Sequence, residues 1–464
     1  MQKILALVSI LTSTLAAAAV LAAEPSPASK TKTPYADQHV ILVTLDGFPA
    51  RFWRDESLPL PNLRRLASQG AAADAMTVSN PSITWINHTT LVTGVTPRRH
   101  GVLFNGLLVR HGPDQPPKIE PWVDKSRLVF APTLYDLAYR AGLTTAEVNW
   151  VAVTRPGTIH WSFPEIPTAD GKVEQEMLTA GLLRPEQLGW FHGPNRKGMI
   201  WEDAGWGQAA AFIFAKHRPN LLLFHLLNPD TIQHQYGPGS PAALTALALA
   251  DRQVGDLLRV VRRSGIGSRT TIFVSSDHGF KKVVKVIYPN VLLKQAGLLT
   301  AAGPAVARCD AVAVAEGGLA FIYVTNPARK AELLPALKTR FAAAEGIARV
   351  LDGHDGPSLG MPTPEENQGM GDVILLAKDG YAFKGEAAGE AAVAISQNYL
   401  GTHGYPATDP ELDGIFIASG NRIKSGVRLP RMANLDVAPT IAQLLGLQIP
   451  RVEGRVLAEI LEGK

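Results

Sequence analysis

Asp46, Asp230, His234, Asp277, His278 and His403 stand where hydrophobic runs of the chain give out. Carboxylate oxygen with imidazole nitrogen is a ligand mixture that suits zinc, with manganese or iron as alternatives. The runs read VILVTLDG at residues 40–47, LLLFHLLNPDTIQH at 221–234 and TIFVSSDHG at 271–279, and GTHGY at 401–405 is the fourth segment. A lone Asp after a strand is ordinarily a turn former or a helix cap. Three of them, two close to His, point instead to a shared ligand set large enough for two ions. Asp230 and His234 are four residues apart, so on a helix they share a face and can hold one ion together.

A two-metal centre needs a group to activate, and residues 80–102, NPSITWINHTTLVTGVTPRRHGV, supply hydroxyls. Thr84 precedes a helix-like stretch through Asn87 to Val92. A hydroxyl at a helix N-terminus sits in positive potential, and a nearby cation would favour its alkoxide further. Ser82, Thr89 and Thr90 compete with it, and spacing does not choose among them.

The elements that must position these groups alternate between strand and helix. Residues 40–45 read as a strand, followed by a helical pattern over 60–70 that ends on Gly. Residues 221–227 form an apolar run bounded by Pro219 and Pro229. Ser240 and Pro241 then open an amphipathic segment to Arg263, with Ser as N-cap and Pro at the first helical position. Residues 271–276 are the next strand. This β-α-β order predicts an α/β fold with a mostly parallel central sheet and helices on both faces. Right-handed crossovers would bring the ends of these strands, and hence Asp230 and Asp277, to one edge, where open α/β sheets gather their chemistry.

Composition narrows the class further. The chain is 46% hydrophobic over 464 residues, enough for a large core, and no internal repeat divides it. Its net charge of +4 is too small for a nucleic-acid scaffold. Lys3, an apolar stretch over residues 4–21 and the small pair Ala22-Ala23 read as a bacterial export signal, residues 1–23. A flexible linker, 24–36, and one large domain, 37–464, follow, with residues 149–206 as insertions that shape a substrate pocket. The expected location is the periplasm or the exterior, and no later run is apolar enough to span a bilayer. Cys309 stands alone, so no intramolecular disulfide forms, and it reads as a packed small side chain.

Taken in order, these segments resemble the nucleotide pyrophosphatase/phosphodiesterase branch of the alkaline phosphatase superfamily over nearly the whole chain. The resemblance rests on VTLDGF, Thr84-Trp85-Ile86-Asn87-His88 with TLVTG after it, His100-Gly101, and PDTIQH followed by Gly237-Pro238. It continues through SDHG, GDVILLAKDGY, GTHGY and LDVAPTIAQLLGL followed by EGR. It implies an alkaline-phosphatase-like domain with two zinc ions, manganese or iron being acceptable in either place. It implies Thr84 as the metal-bound nucleophile, Asp46, Asp277 and His278 as ligands of the ion that activates it, and Asp230, His234 and His403 as ligands of the other. Asn105 matches an Asn that hydrogen-bonds a non-bridging phosphate oxygen. The implied reaction is attack by Thr84 on phosphorus, then hydrolysis of the phospho-threonine intermediate, on a small-molecule phosphodiester of nucleotide type.

Sister activities separate by residue type. A sulfatase would need Cys or Ser in a C/S-x-P-x-R context, whereas Cys309 is followed by Asp310. Asn105 in place of an Arg clamp favours diesters over monoesters. Phosphonoacetate hydrolases share the ligand set and stay as an alternative, as does, in a different class, a catalytically silent metal-binding envelope protein. Trp85 corresponds to an aromatic that stacks on the base, but His225 replaces the Tyr that many nucleotide-cleaving members use there, which weakens a nucleotide preference. Ile86 and Gln233 depart from the pattern beside the nucleophile and a ligand. The sequence sets no oligomeric state.

Overall fold

The computed structural model describes residues 35–463, so the segment 1–23 read as an export signal and most of the expected linker 24–36 lie outside the described residues. A nine-stranded sheet is built from β1 (His39–Leu45), β2 (Gly70–Thr77), β3 (Thr145–Val148), β4 (Trp161–Phe163), β5 (Leu221–Leu226), β6 (Thr270–Ser275), β7 (Gly414–Gly420), β8 (Val427–Leu429) and β9 (Met432–Ala433). The order is β8-β2-β7-β6-β1-β5-β3-β4, with β9 also beside β2. Neighbours run parallel except β7, which is antiparallel to both β2 and β6. The strands expected from the sequence are present, with one refinement: β1 lies between β5 and β6, pairing Thr44 with His225 on one side and with Ser275 on the other.

The helices that matter for the site are α1 (Pro61–Ser68), α2 (Thr84–Thr93), α3 (Leu134–Arg140), α4 (Met199–His217), α5 (Asn228–Tyr236), α6 (Pro241–Arg263) and α7 (Val437–Leu445). They cover both faces because successive strand side chains alternate between them. Val40, Leu42, Leu221 and Leu223 pack with Leu91, Leu134 and Ile441 of α2, α3 and α7. Ile41, Val43, Leu222 and Phe224 pack with Leu63, Trp206, Ile213 and Val254 of α1, α4 and α6. Removing one such side chain, as in Leu223→Ala, would cost about 2–5 kcal/mol. The Ser240 hydroxyl accepts the Ala243 N–H at 3.2 Å, so α6 begins where the capping pattern placed it.

Part of the stretch read as insertions belongs to the sheet itself: residues 161–163 are β4, paired in parallel with β3. A separate four-stranded antiparallel sheet, Ala311–Glu316, Leu319–Val324, Ile347–Asp352 and Val373–Ala377, was not foreseen. Nor was the small sheet around Lys281–Ile287, whose short strand Gly401–Thr402 delivers His403. Among the described residues no helix is long and apolar enough to cross a membrane.

Candidate metal centre

Asp46 follows β1, and the chain turns sharply at Gly47, whose φ of +62° and 2.8 Å approach of a would-be Cβ to the Phe280 ring admit only glycine. The Gly47 N–H donates to Asp277 Oδ1 at 3.0 Å, and the His278 N–H donates to the same oxygen at 3.0 Å. Asp277 Oδ2 is thereby left free to face inward.

Asp230 and His234 lie one turn apart on α5, with His234 Nε2 3.3 Å from Asp230 Oδ1. The first turn of α5 has no side-chain cap of its own. Asp203 of α4 supplies one instead, accepting the Leu227 and Asn228 N–H groups at 2.9 and 3.1 Å. Gln233, fully buried, donates to the Gly47 carbonyl at 2.6 Å and so ties α5 to the turn after β1. Its departure from the family pattern therefore has a positioning effect.

Each of three histidines has its Nδ1 held by a backbone carbonyl: His278 by Gly279 at 3.0 Å, His234 by Gly401 at 2.9 Å, and His403 by Ser82 at 2.9 Å. A carbonyl can only accept, so Nδ1 carries the hydrogen and, in the neutral ring, Nε2 presents a lone pair. Those Nε2 atoms face carboxylates: His278 is 3.3 Å from Asp46 Oδ1 and 3.5 Å from Asp277 Oδ2, and His403 is 3.5 Å from Asp230 Oδ1. Two ligands about 2.0–2.1 Å from one tetrahedral ion stand roughly 3.3 Å apart, so these separations are those of ligands sharing a cation.

Both Asp46 oxygens, Asp230 Oδ1 and Asp277 Oδ2 are buried with no hydrogen-bond partner. Leaving buried carboxylate oxygens unpaired is costly unless a cation takes them up. The donor set therefore fits divalent metal. The charges respond accordingly: burial, then the neighbouring Asp277 and Asp230 carboxylates, drives the Asp46 carboxyl well above its ordinary range. Burial opposes ionisation of Asp230 too, but His234 and His403 beside it hold its carboxyl low. His234 is raised because Asp230 outweighs the burial that would lower it.

Thr84 is the first residue of α2, not its cap; Ile83 is the capping residue and contributes no side-chain bond. Thr84 Oγ1 lies 3.4 Å from His278 Nε2, at the mouth of the cluster. Asn105 Oδ1 accepts the Trp85 N–H at 3.0 Å, which leaves the Asn105 amide hydrogens as donors. A cleft of about 290 Å³ opens here, lined by Thr84, Trp85, Asn105, Asp230, His234 and His403, with His225 at its floor. The rings of Trp85 and Trp122 meet edge to face at 6.4 Å.

Every site residue expected from the sequence comes together: Thr84, Trp85, Asn105, His225 and the six Asp and His ligand candidates. Thr44, His88, Trp122 and Glu165 were not assigned a role. Thr44 is bonded to the rings of both His88 and His225, and Glu165 and Trp122 form part of the cleft wall. Thr44 and His225 did leave a signal, each being a polar interruption of an apolar strand on the face that alternation assigns to α2. Glu165 and Trp122 left none.

A buried Asp and His cluster that could bind metal, at the carboxyl edge of a mostly parallel sheet and beside a helix-start hydroxyl, sits on an alkaline-phosphatase-like α/β fold. The solved murine ectonucleotide pyrophosphatase/phosphodiesterase 5 superposes with a TM-score of 0.69 at 18% identity, covering 92% of this chain and 100% of that one. Its inactive variant in complex with AMP superposes with a TM-score of 0.67 at 19% identity over 92% of this chain and 100% of that one. The chain belongs to the type I phosphodiesterase / nucleotide pyrophosphatase family, whose model matches residues 40–406. It is 24% identical over 432 residues to rat ectonucleotide pyrophosphatase/phosphodiesterase family member 3, which covers 88% of this chain and 42% of that protein. It is also 24% identical over 268 residues to the venom phosphodiesterase of Macrovipera lebetinus, 56% of this chain and 27% of that one. The chain thus spans less than half the length of these relatives.

Proposed function

We propose that this protein is an exported, metal-dependent phosphodiesterase that cleaves small-molecule phosphodiesters of nucleotide or related type through a phospho-threonine intermediate. The observation that carries it is the position of Thr84 Oγ1, 3.4 Å from His278 Nε2 and beside buried carboxylate oxygens that have no other partner. Asp46, Asp277 and His278 would hold one ion and Asp230, His234 and His403 the other, zinc by preference, with manganese or iron in either position. Bound there, such ions supply positive charge that favours a deprotonated hydroxyl and offsets charge on the entering and leaving oxygens.

The chain's own groups do the rest. Thr84 Oγ forms the new O–P bond while the ester O–P bond breaks and the alcohol departs with the bonding pair. Water then attacks the phospho-threonine, returning Thr84 and releasing the monoester. The Asn105 amide, with its oxygen occupied by the Trp85 N–H, donates to a non-bridging phosphate oxygen. A neutral donor there tolerates an esterified phosphate, which is why diesters are preferred. Trp85, with Trp122 against its edge, offers a stacking surface for a base or another flat leaving group. Export rests on residues 3–23 and is checked by the mature N-terminus of protein recovered from fractionated cells.

The test is one zinc-loaded preparation given a nitrophenyl nucleotide diester, nitrophenyl phenylphosphonate and nitrophenyl phosphate. Turnover of the diester above the monoester, with phosphate trapped on the Thr84 peptide by acid quench and mass spectrometry, is expected. Inertness toward all three sinks the proposal. Preference for the phenylphosphonate would favour a phosphonate-directed relative.

A further inference from the structure

His225 is the polar side chain of β5 that the ligand set above leaves unused, and it is nearly fully buried. Its Nε2 lies 3.2 Å from Asp46 Oδ2, yet neither atom has a hydrogen-bond partner, so the ring nitrogen does not donate to that oxygen. On the other side of the ring, Nδ1 is 2.9 Å from Thr44 Oγ1 and 3.0 Å from His88 Nε2.

The proton positions follow from His88. Its Nδ1 is 2.8 Å from the Thr84 carbonyl, which can only accept, so Nδ1 of His88 carries the hydrogen and its Nε2 is a bare acceptor. Thr44 Oγ1 sits 2.8 Å from that Nε2 and 3.4 Å from the Phe224 carbonyl. If the Thr44 hydroxyl donates to His88, its oxygen accepts from His225 Nδ1–H. If it donates to Phe224, His225 Nδ1–H must satisfy His88 itself. Were His225 Nδ1 bare, two ring lone pairs would face each other at 3.0 Å with one hydroxyl proton between them. Both arrangements therefore put the hydrogen on Nδ1 and leave the Nε2 lone pair directed at the Asp46 carboxylate. That pairing is repulsive unless a cation lies between.

We propose that His225 is a further metal ligand through Nε2, sharing with Asp46 the ion on the nucleophile's side of the centre. The inference rests on reading the cluster as a metal centre. His225 then has the same tautomer as His234, His278 and His403, set by Thr44 and His88 in place of a backbone carbonyl. Thr44 and His88 become positioning residues for that ligand.

Cobalt(II)-loaded protein tests this without turnover. Hyperfine-shifted, exchangeable imidazole N–H proton signals are expected for each of His225, His234, His278 and His403, and one of them should vanish in His225→Gln. Chelator competition should show the affinity for one ion falling by about 10–100-fold in that variant, the other ion being retained. Signals from His234, His278 and His403 alone, with unchanged affinity in His225→Gln, would overturn the proposal and leave a proton as the partner of Nε2. If the wild-type protein takes up no stoichiometric cobalt or zinc, the metal-centre reading itself fails. Because the wild-type spectrum carries the decision, a variant that does not fold leaves the test standing.

Discussion

The two halves of the ligand cluster differ in how they are held and in how wet they are. Asp46, Asp277 and His278 have fully buried side chains and stand at the ends of the adjacent parallel strands β1 and β6. Asp230, His234 and His403 keep 13%, 25% and 12% of their side-chain surface and sit on α5 and on the short strand Gly401–Thr402 of a peripheral sheet. The inner half thus inherits the rigidity of the sheet and excludes water, where charge interactions are strongest. The outer half faces the cleft, where the proposed reaction would have its leaving group depart and its water arrive. On the proposed reading, Thr84 lies where the buried half meets the cleft, so one half would anchor it while the other exchanges material with solvent.

The sharpest way to break the comparison is at the nucleophile. Thr84→Ala should lower kcat on the order of 10⁴-fold or more while both ions stay bound, read by steady-state turnover beside metal analysis. Comparable losses of metal and rate would show that Thr84 holds the centre together instead.

Acid should then reach both halves, through different groups. Asp230 raises His234, burial opposing it, so His234 must lose a proton above the ordinary imidazole range before its Nε2 can bind metal. His88 and His225 of the inner half and His403 of the outer are lowered, by burial first, and stay neutral further into acid, but burial and its neighbouring carboxylates raise Asp46 of the inner half, which then takes up a proton as pH falls. Affinity in both halves therefore falls as pH drops, by about tenfold per unit for each competing proton. Metal analysis after dialysis from pH 8 to pH 5.5 should show both ions leaving, the outer with protonation of His234 and the inner with protonation of Asp46; loss of one ion alone would show that only one of these groups competes with metal.

Supporting residues give intermediate effects. Thr44→Val keeps the side-chain shape but leaves two buried ring nitrogens without their hydroxyl, and should destabilise the protein by about 1–3 kcal/mol and perturb the inner half. Asp203→Ala removes the cap on α5, costing about 0.5–2 kcal/mol, and should raise KM and loosen the outer half alone. Thermal melts with metal titrations check both, and identical patterns in the two variants would argue that the halves are one unit. The smallest change is expected of Trp85→Ala. Loss of about 0.5–1.5 kcal/mol of aromatic interaction should raise KM several-fold for an aromatic nucleotide diester and leave a small aliphatic diester nearly unaffected.

Much of this was legible in the chain. Apolar runs ending in Asp marked β1, β5 and β6, because a strand buried on both faces must be apolar until it leaves the sheet. The spacing of Asp230 and His234 placed them on one turn of α5, and Ser240-Pro241 fixed where α6 begins. The antiparallel sheet over residues 311–377 was missed because its pairings join segments whose partners no local pattern identifies. The cap on α5 was equally invisible, since Asp203 lies on another helix.

What the sequence determined by itself was the inventory: which side chains can ligate, which hydroxyls can attack, and which strands carry them, since residue chemistry and hydrophobic period are local properties. Tertiary structure alone decided the rest. Threading β1 between β5 and β6 sets Thr44 opposite His225, and α2 lays His88 against both, so the Thr84 carbonyl fixes the proton on His88 and contacts between residues 44, 88 and 225 fix the one on His225. A lone pair acquires its direction from its neighbours, and neighbours exist only once the chain has folded.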